Sequence, residues 1–223
     1  MSTRELPPAL PPETRTVGQV VAEAIRLYGR FPWLALPLGL PLAVADTLAL
    51  GRSVGERILI LLAAAPFFTL AFQWAAALAA DVRPPRATWL RAFALGTLVF
   101  VPAAVFFPWF LLLAIAWLAL AGLAVPAVMI ENLGFAAGFR RGIELCRADY
   151  VHALGSLATL VIVFVLTRVA LGFLLREQAD NTIRTAVFLA DLVVSPLLFL
   201  GAALLYFDQA ARVGSGSRAR RSR

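Results

Sequence analysis

Six stretches of nearly continuous apolar sequence, separated by short polar punctuation, run along this chain of 223 residues. Each is close to the roughly 20 apolar residues that an α-helix needs to cross a bilayer. Trp33 marks the entry to span one, residues 33–50, where Pro37 and Pro41 are expected to bend or loosen the first half. The loop GRSVGE leads to span two, residues 57–80. From Ala87 to Ile130 the sequence is apolar with Arg91 its only charge. A straight helix of that length would measure roughly 66 Å at 1.5 Å per residue, twice the hydrocarbon thickness, so it must fold back. The punctuation near its middle is Phe106-Phe107-Pro108-Trp109. The turn there separates span three, about residues 87–106, from span four, about 109–130. Spans five and six follow at 151–174 and about 186–207. The fold class is therefore all-α, a polytopic transmembrane bundle of about six helices.

Between the spans the period changes. In TVGQVVAEAIRLYGRF, residues Val17, Val20, Val21, Ala24, Ile25 and Tyr28 recur at helical spacing while Glu23, Arg26 and Arg30 fall on other faces. ENLGFAAGFRRGIELCRADY before span five has the same character. Both are expected to be amphipathic helices lying in the membrane interface. Residues 1–15 read as a disordered Pro-rich arm, 16–211 as the membrane domain, and 212–223 as a disordered basic tail. A loose internal repeat of amphipathic helix, span and span is suggested by AIRLYGRFPW and GIELCRADYV, which precede spans one and five at similar offsets.

Composition agrees with lipid as the solvent. The chain is 61% apolar and 15% charged, with a mean hydropathy of +0.84, whereas soluble domains are about 45–50% apolar and about 25% charged. The net charge of +7 does not imply nucleic acid. All 20 basic residues are Arg, and most lie in short loops beside spans, where positive charge sets orientation. Fifteen fall on one side: Arg4, Arg15, Arg26, Arg30, Arg83, Arg86, Arg91, Arg140, Arg141, Arg147, Arg212, Arg218, Arg220, Arg221 and Arg223. Four fall on the other: Arg52, Arg57, Arg176 and Arg184. This places both termini in the cytoplasm. The absence of Lys, with abundant Ala, Leu, Gly and Pro, points to a GC-rich bacterial coding sequence and hence to the bacterial inner membrane. The N-terminus is too polar to be a signal peptide, so span one is expected to target the chain and stay in place.

Charged groups inside spans are functional candidates by default because each is costly in hydrocarbon. Asp46, Arg168 and Asp191 stand at similar depths near the outer side, and antiparallel spans five and six are expected to bring Arg168 against Asp191. The paired state is read first as an ion pair locking the last hairpin. A second set lies at the inner ends: Glu131, Arg140, Arg141, Tyr206, Asp208 and Arg212. These are candidates for interfacial or lipid-headgroup contact. Ser195-Pro196, Pro66, Pro102 and Pro126 are possible unwinding points. The single cysteine, Cys146, and single histidine, His152, exclude a disulfide within the chain and a His- or Cys-rich metal site. Cys146 reads as a packing residue and His152 as an interfacial polar one. No paired-carboxylate, nucleophile-elbow, phosphate-loop or HExxH pattern is present, and no cofactor is implied.

VPAVMIENLGFAAGFRRGIELCRADYVHALG resembles a pattern in the membrane domain fused to some bacterial glycerophosphodiester phosphodiesterases and in related stand-alone membrane proteins. ALLYFDQAAR is similar to that family's closing stretch, and TVGQVVAEAIRLYGRFPWLAL to its opening helix. The matching positions are Glu131, Arg140, Arg141, Tyr206, Asp208 and Arg212. The resemblance implies no phosphodiesterase activity, because catalysis there belongs to a separate soluble barrel for which this chain has no room. The expected function is a non-catalytic scaffold or lipid-interacting module. Its partners are membrane lipids, with a second copy or another membrane protein as the protein partner. The alternative is a small transporter or channel subunit using Asp46, Arg168 and Asp191.

The arginine count yields a direct test. Reporter fusions at Ser2 and Arg223 should both report cytoplasm, and fusions near Gly55 and Asp180 the opposite side. Termini on opposite sides would overturn the six-span reading, most readily at Phe106-Phe107-Pro108-Trp109.

Overall fold

The computed structural model describes residues 15–221, with side chains described as far as Gly214. Most of the arm expected to be disordered, and residues 222–223 of the tail, lie outside the described residues. Helix α1 is Val17–Arg30, α2 Pro32–Ala35, α3 Leu40–Ala49, α4 Val54–Ala80 and α5 Arg86–Phe106. Then come α6 Leu111–Ala121, α7 Ala124–Glu131, α8 Phe135–Ala148, α9 Tyr150–Leu174 and α10 Asp180–Arg221. No strand occurs among the described residues. Six segments are long and apolar enough to cross a membrane: Pro32–Ala49, Val54–Ala80, Arg86–Phe106, Leu111–Glu131, Tyr150–Leu174 and Asp180–Gly214. The chain is a multi-pass membrane protein.

Local chemistry explains most of the boundaries. Ser53 caps α4: its N–H donates to Glu56 Oε2 (2.9 Å) and its Oγ accepts from the Glu56 N–H (3.4 Å), the reciprocal capping box. Gly51, at φ 75°, supplies the left-handed turn before it. Asp81 and Asn132 end α4 and α7 in the left-handed conformation, which short polar side chains tolerate best after glycine. As expected, α5 stops at Phe106 and α6 begins just past Pro108 and Trp109.

Prolines break two spans. In span one, Leu36–Gly39 is a 3-10 segment between α2 and α3, with Pro37 inside it and Pro41 just beyond. Span four, which the apolar pattern predicts as one continuous helix, divides at Gly122 and Leu123. The cause is Pro126, which has no N–H to give the Gly122 carbonyl. The Val125 N–H takes that carbonyl instead, at 3.2 Å.

Span six is longer than the expected 186–207, and the helix does not stop at residue 211. Beyond residue 207, Gln209 and Arg212 bond to Asp149 at the start of α9, which holds the helix as it leaves the bundle.

The spans form a ring in which α3, α4, α5, α6, α9 and α10 each pack on the next, and α10 closes onto α3. The helices expected at 16–30 and 134–148 are present as α1, against α9 and α10, and α8, against α6, α7 and α10. Phe68 and Phe72 meet Phe100 with ring centroids 6.0 and 6.2 Å apart. Outward-facing residues stay apolar: Leu112 is 77% exposed, and Leu166, Val169 and Phe173 of α9 exceed half. Lipid, not water, suits that surface.

Two glycines allow backbones to touch. A Cβ at Gly142 of α8 would meet the Ala124 backbone of α7. A Cβ at Gly39 would run into the Leu192 carbonyl of α10. Pro196 stands four residues after Leu192, so that carbonyl has no helical N–H partner. The freed oxygen occupies the space that the absent Gly39 side chain leaves. Small residues at such crossings let helices approach closely in membranes.

Because Ala124 would have to move as backbone, Gly142→Leu should destabilise the detergent-solubilised protein by about 2 kcal/mol. Gly29→Leu, which meets open space, should leave the melting temperature nearly unchanged. Equal effects would show that the α7–α8 contact is loose.

Candidate functional site

Polar side chains gather at two levels of the bundle. At the end away from α1 and α8, Asp46 of α3, Arg168 of α9 and Asp191 of α10 converge, as their depths predict. The expected pairing needs a correction of emphasis. The closer partner of Arg168 is Asp46, whose Oδ2 contacts Nη1 directly, while Asp191 Oδ2 lies 3.5 Å away. The side chain of Asp191 is 1% exposed against 17% for Asp46. Both Asp191 carboxylate oxygens are buried, set against the Asp46 carboxyl and the Arg168 guanidinium. Ser195 Oγ donates to the Asp191 backbone carbonyl and, at 3.4 Å, to that of Gly39. The Arg168 guanidinium also stands 5.8 Å from the Phe164 ring centroid. Phe164 is the only buried residue in the outer half of α9, so Phe164 and Arg168 hold that half to the bundle.

Beside this cluster lies a cavity of about 190 Å³ walled by the ring of spans. Leu42, Phe72, Phe100, Ala114, Leu160 and Phe199 contribute to its lining, and Asp46 is the only polar side chain in its wall.

At the opposite, arginine-rich end a longer network ties the peripheral helices down. Tyr206 donates to Glu131 Oε1 at 2.7 Å, and Arg141 Nε donates to the same oxygen at 2.9 Å. Arg141 Nη1 also reaches Glu144 at 3.1 Å. Burial opposes the Arg141 charge, but Glu131 and Glu144 outweigh it and raise its pKa above the ordinary arginine value. Arg15 pairs with the fully buried Asp208 at 3.2 Å, and His152 Nε2 lies 3.7 Å from the other Asp208 oxygen. Arg212 pairs with Asp149 at 2.9 Å and donates to the Arg15 carbonyl at 3.2 Å. The other Asp149 oxygen accepts from the His152 N–H at 3.0 Å and so caps α9.

Of the inner candidates, Glu131, Arg141 and Tyr206 form one unit, and Asp208 and Arg212 another with Arg15, Asp149 and His152. Arg140 takes part in neither and is exposed on α8. Sequence reasoning missed Arg15, which it assigned to the arm, and Asp149, the signal for which was an acid immediately before a span, at an N-cap position. Cys146 is fully buried, and burial pushes its thiol pKa up against a smaller opposing effect of Arg147, as suits a packing residue. No metal-holding cluster of His, Cys, Asp or Glu occurs among the described residues.

Compared with known proteins, the chain matches no family model, no curated protein and no solved structure.

The outer cluster predicts strong coupling. Arg168→Leu leaves two carboxylates against hydrocarbon and should cost about 3 kcal/mol. A thermal double-mutant cycle in detergent with Asp46→Leu should show losses well short of additive. Additive losses would mean that the contact contributes nothing.

Proposed function

We propose that this protein is a non-catalytic lipid-interacting module of the bacterial inner membrane, with both ends in the cytoplasm and anionic lipid headgroups as its partner. The observation that carries this reading is the arrangement on α8. Its small and apolar face, Gly138, Gly142, Leu145 and Cys146, is buried against the bundle. Arg141 is fixed by Glu131 and Glu144. That leaves Arg140 and Arg147 exposed and outside the ion pairs described above. On a helix in the interface, such arginines meet headgroup phosphates, each contributing about 1 kcal/mol near an anionic surface. Helix α1 repeats the pattern, with Val20 and Ala24 buried and Arg30 exposed over the Phe31 ring.

Arg15, Asp208, Asp149 and Arg212 join the segment before α1 to α9 and α10 at this same level. The scaffold is therefore rigid where it would meet lipid. The positions Glu131, Arg141, Tyr206, Asp208 and Arg212, on which the resemblance to the phosphodiesterase-associated membrane domain rests together with Arg140, all lie at this end. A transporter reading draws instead on Asp46 in the cavity wall, a separate site with its own chemistry.

The test is lipid retention by native mass spectrometry after release from nanodiscs containing phosphatidylglycerol and phosphatidylcholine. Wild type should retain phosphatidylglycerol preferentially. The double variant Arg140→Gln/Arg147→Gln should lower that preference by up to about 30-fold, the equivalent of about 1 kcal/mol per arginine, without loss of melting temperature. An unchanged preference would overturn the proposal.

A further inference from the structure

We propose that the cavity is a binding site for a lipophilic organic cation, an ammonium group carrying an apolar chain, with Asp46 as its counter-ion. The shape of the site sets the chain. Its wall is apolar everywhere except at Asp46, and a dry apolar cavity of about 150 Å³ already accommodates a benzene-sized molecule. At about 190 Å³, this one takes a chain or ring system rather than water.

Charge sets the head. The charged groups that face one another here are Asp46 from α3, Arg168 from α9 and Asp191 from α10. Helix α4, which also packs on α3 and α10, carries no titratable side chain between Arg57 and Asp81. Neither does α5 beyond Arg91, nor α6. Two carboxylates therefore share one guanidinium. In a low-dielectric setting the uncompensated negative charge is expensive, so the empty site holds one proton on its carboxylates. Asp191, at 1% side-chain exposure and farther from Arg168 than Asp46 is, makes a natural holder. A cation entering beside Asp46 supplies the missing positive charge in the proton's place, and the proton leaves to water. An anionic or neutral head finds no such vacancy, because Arg168 is already engaged by both acids.

Geometry also offers an entry. In the outer half of α9 only Phe164 is buried, and Arg168 is the side chain that ties that half to the acids of α3 and α10. Leu157, Leu160 and Val161, one to two turns before Phe164, line the cavity. Helix α9 thus stands between cavity and membrane, and its outer half has the fewest buried side chains to hold it in place.

The experiment uses the full chain in nanodiscs, with empty nanodiscs subtracting simple partitioning, and hexyltrimethylammonium, whose chain is close to benzene in size, as the probe. Because this cation cannot itself carry a dissociable proton, calorimetry in buffers of different ionisation enthalpy reads protons released by the protein. Saturable binding above empty nanodiscs is expected, with close to one proton released per cation. Hexanol should compete at least tenfold more weakly, and Asp46→Asn should weaken binding at least tenfold.

Since Asp46→Asn also disturbs the hold on α9, a second variant, Ala103→Phe, fills the cavity and leaves the three charges intact. It should abolish binding while the melting temperature stays within a few degrees of wild type. Overturning results are an absence of saturable binding in wild type, undiminished binding in Ala103→Phe, equal competition by hexanol, or no proton release. Arg140→Gln/Arg147→Gln should bind the cation normally, which separates this site from the headgroup contact at the other end.

Discussion

Hydrocarbon offers no hydrogen bonds, so a polar atom within the spans must find its partner inside the bundle or move to an end. The two polar clusters are the result. Arg168 sits within α9, where the surrounding residues face lipid, and reaches inward to two carboxylates on two other spans. Without them, the outer half of α9 would have little but Phe164 to keep it against α3 and α10. At the arginine-rich end the same constraint acts on Asp208, which is fully buried and takes Arg15 as its partner. That contact, with the Arg212 donation to the Arg15 carbonyl, joins the segment before α1 to the far part of α10, and with it the two ends of the described chain.

The constraint extends to the backbone. Each proline in a span removes an N–H and leaves a carbonyl four residues earlier without its partner. In α10 the carbonyl freed by Pro196 belongs to Leu192, and Gly39 of the 3-10 segment comes up against it. The 3-10 geometry of Leu36–Gly39 itself follows from Pro37 and Pro41. Broken helix and proline-bearing helix are therefore complementary: one has a carbonyl to satisfy, and the other brings its backbone close. The contact lies within a turn of Asp191 and so fixes the height at which Asp46 and Asp191 face Arg168.

Span number, and the turn at Phe106-Phe107-Pro108-Trp109, were legible because apolar length and helical rise leave few choices. Depth was legible too, since residues from a span's end convert directly to distance along its axis. Azimuth was not. Which acid Arg168 contacts most closely depends on how α3 is rotated, and the 3-10 insertion changes that rotation by an amount no residue count gives. The break at Gly122 was half visible: Pro126 was noted, but whether a proline kinks, breaks or is absorbed depends on its neighbours, and Pro66, Pro102 and Pro196 are all absorbed. Arg15 was hidden for a different reason. Its segment has the composition of a disordered arm, and only its partner 193 residues later makes it part of the bundle.

The two clusters differ in how their charges balance, and that difference separates their roles. At the arginine-rich end, Arg141 answers Glu131, Arg212 answers Asp149 and Arg15 answers Asp208, with Glu144 left largely in solvent. Each acid of those three pairs has its own cation, an arrangement that is complete in itself and suits a lock between helices. At the opposite end two acids depend on a single arginine, and one of the acids lies in the wall of an apolar cavity. A lock would need only one of those acids. Retaining a second carboxylate in hydrocarbon, at a cost that an asparagine or leucine would avoid, makes physical sense where another positive charge comes and goes.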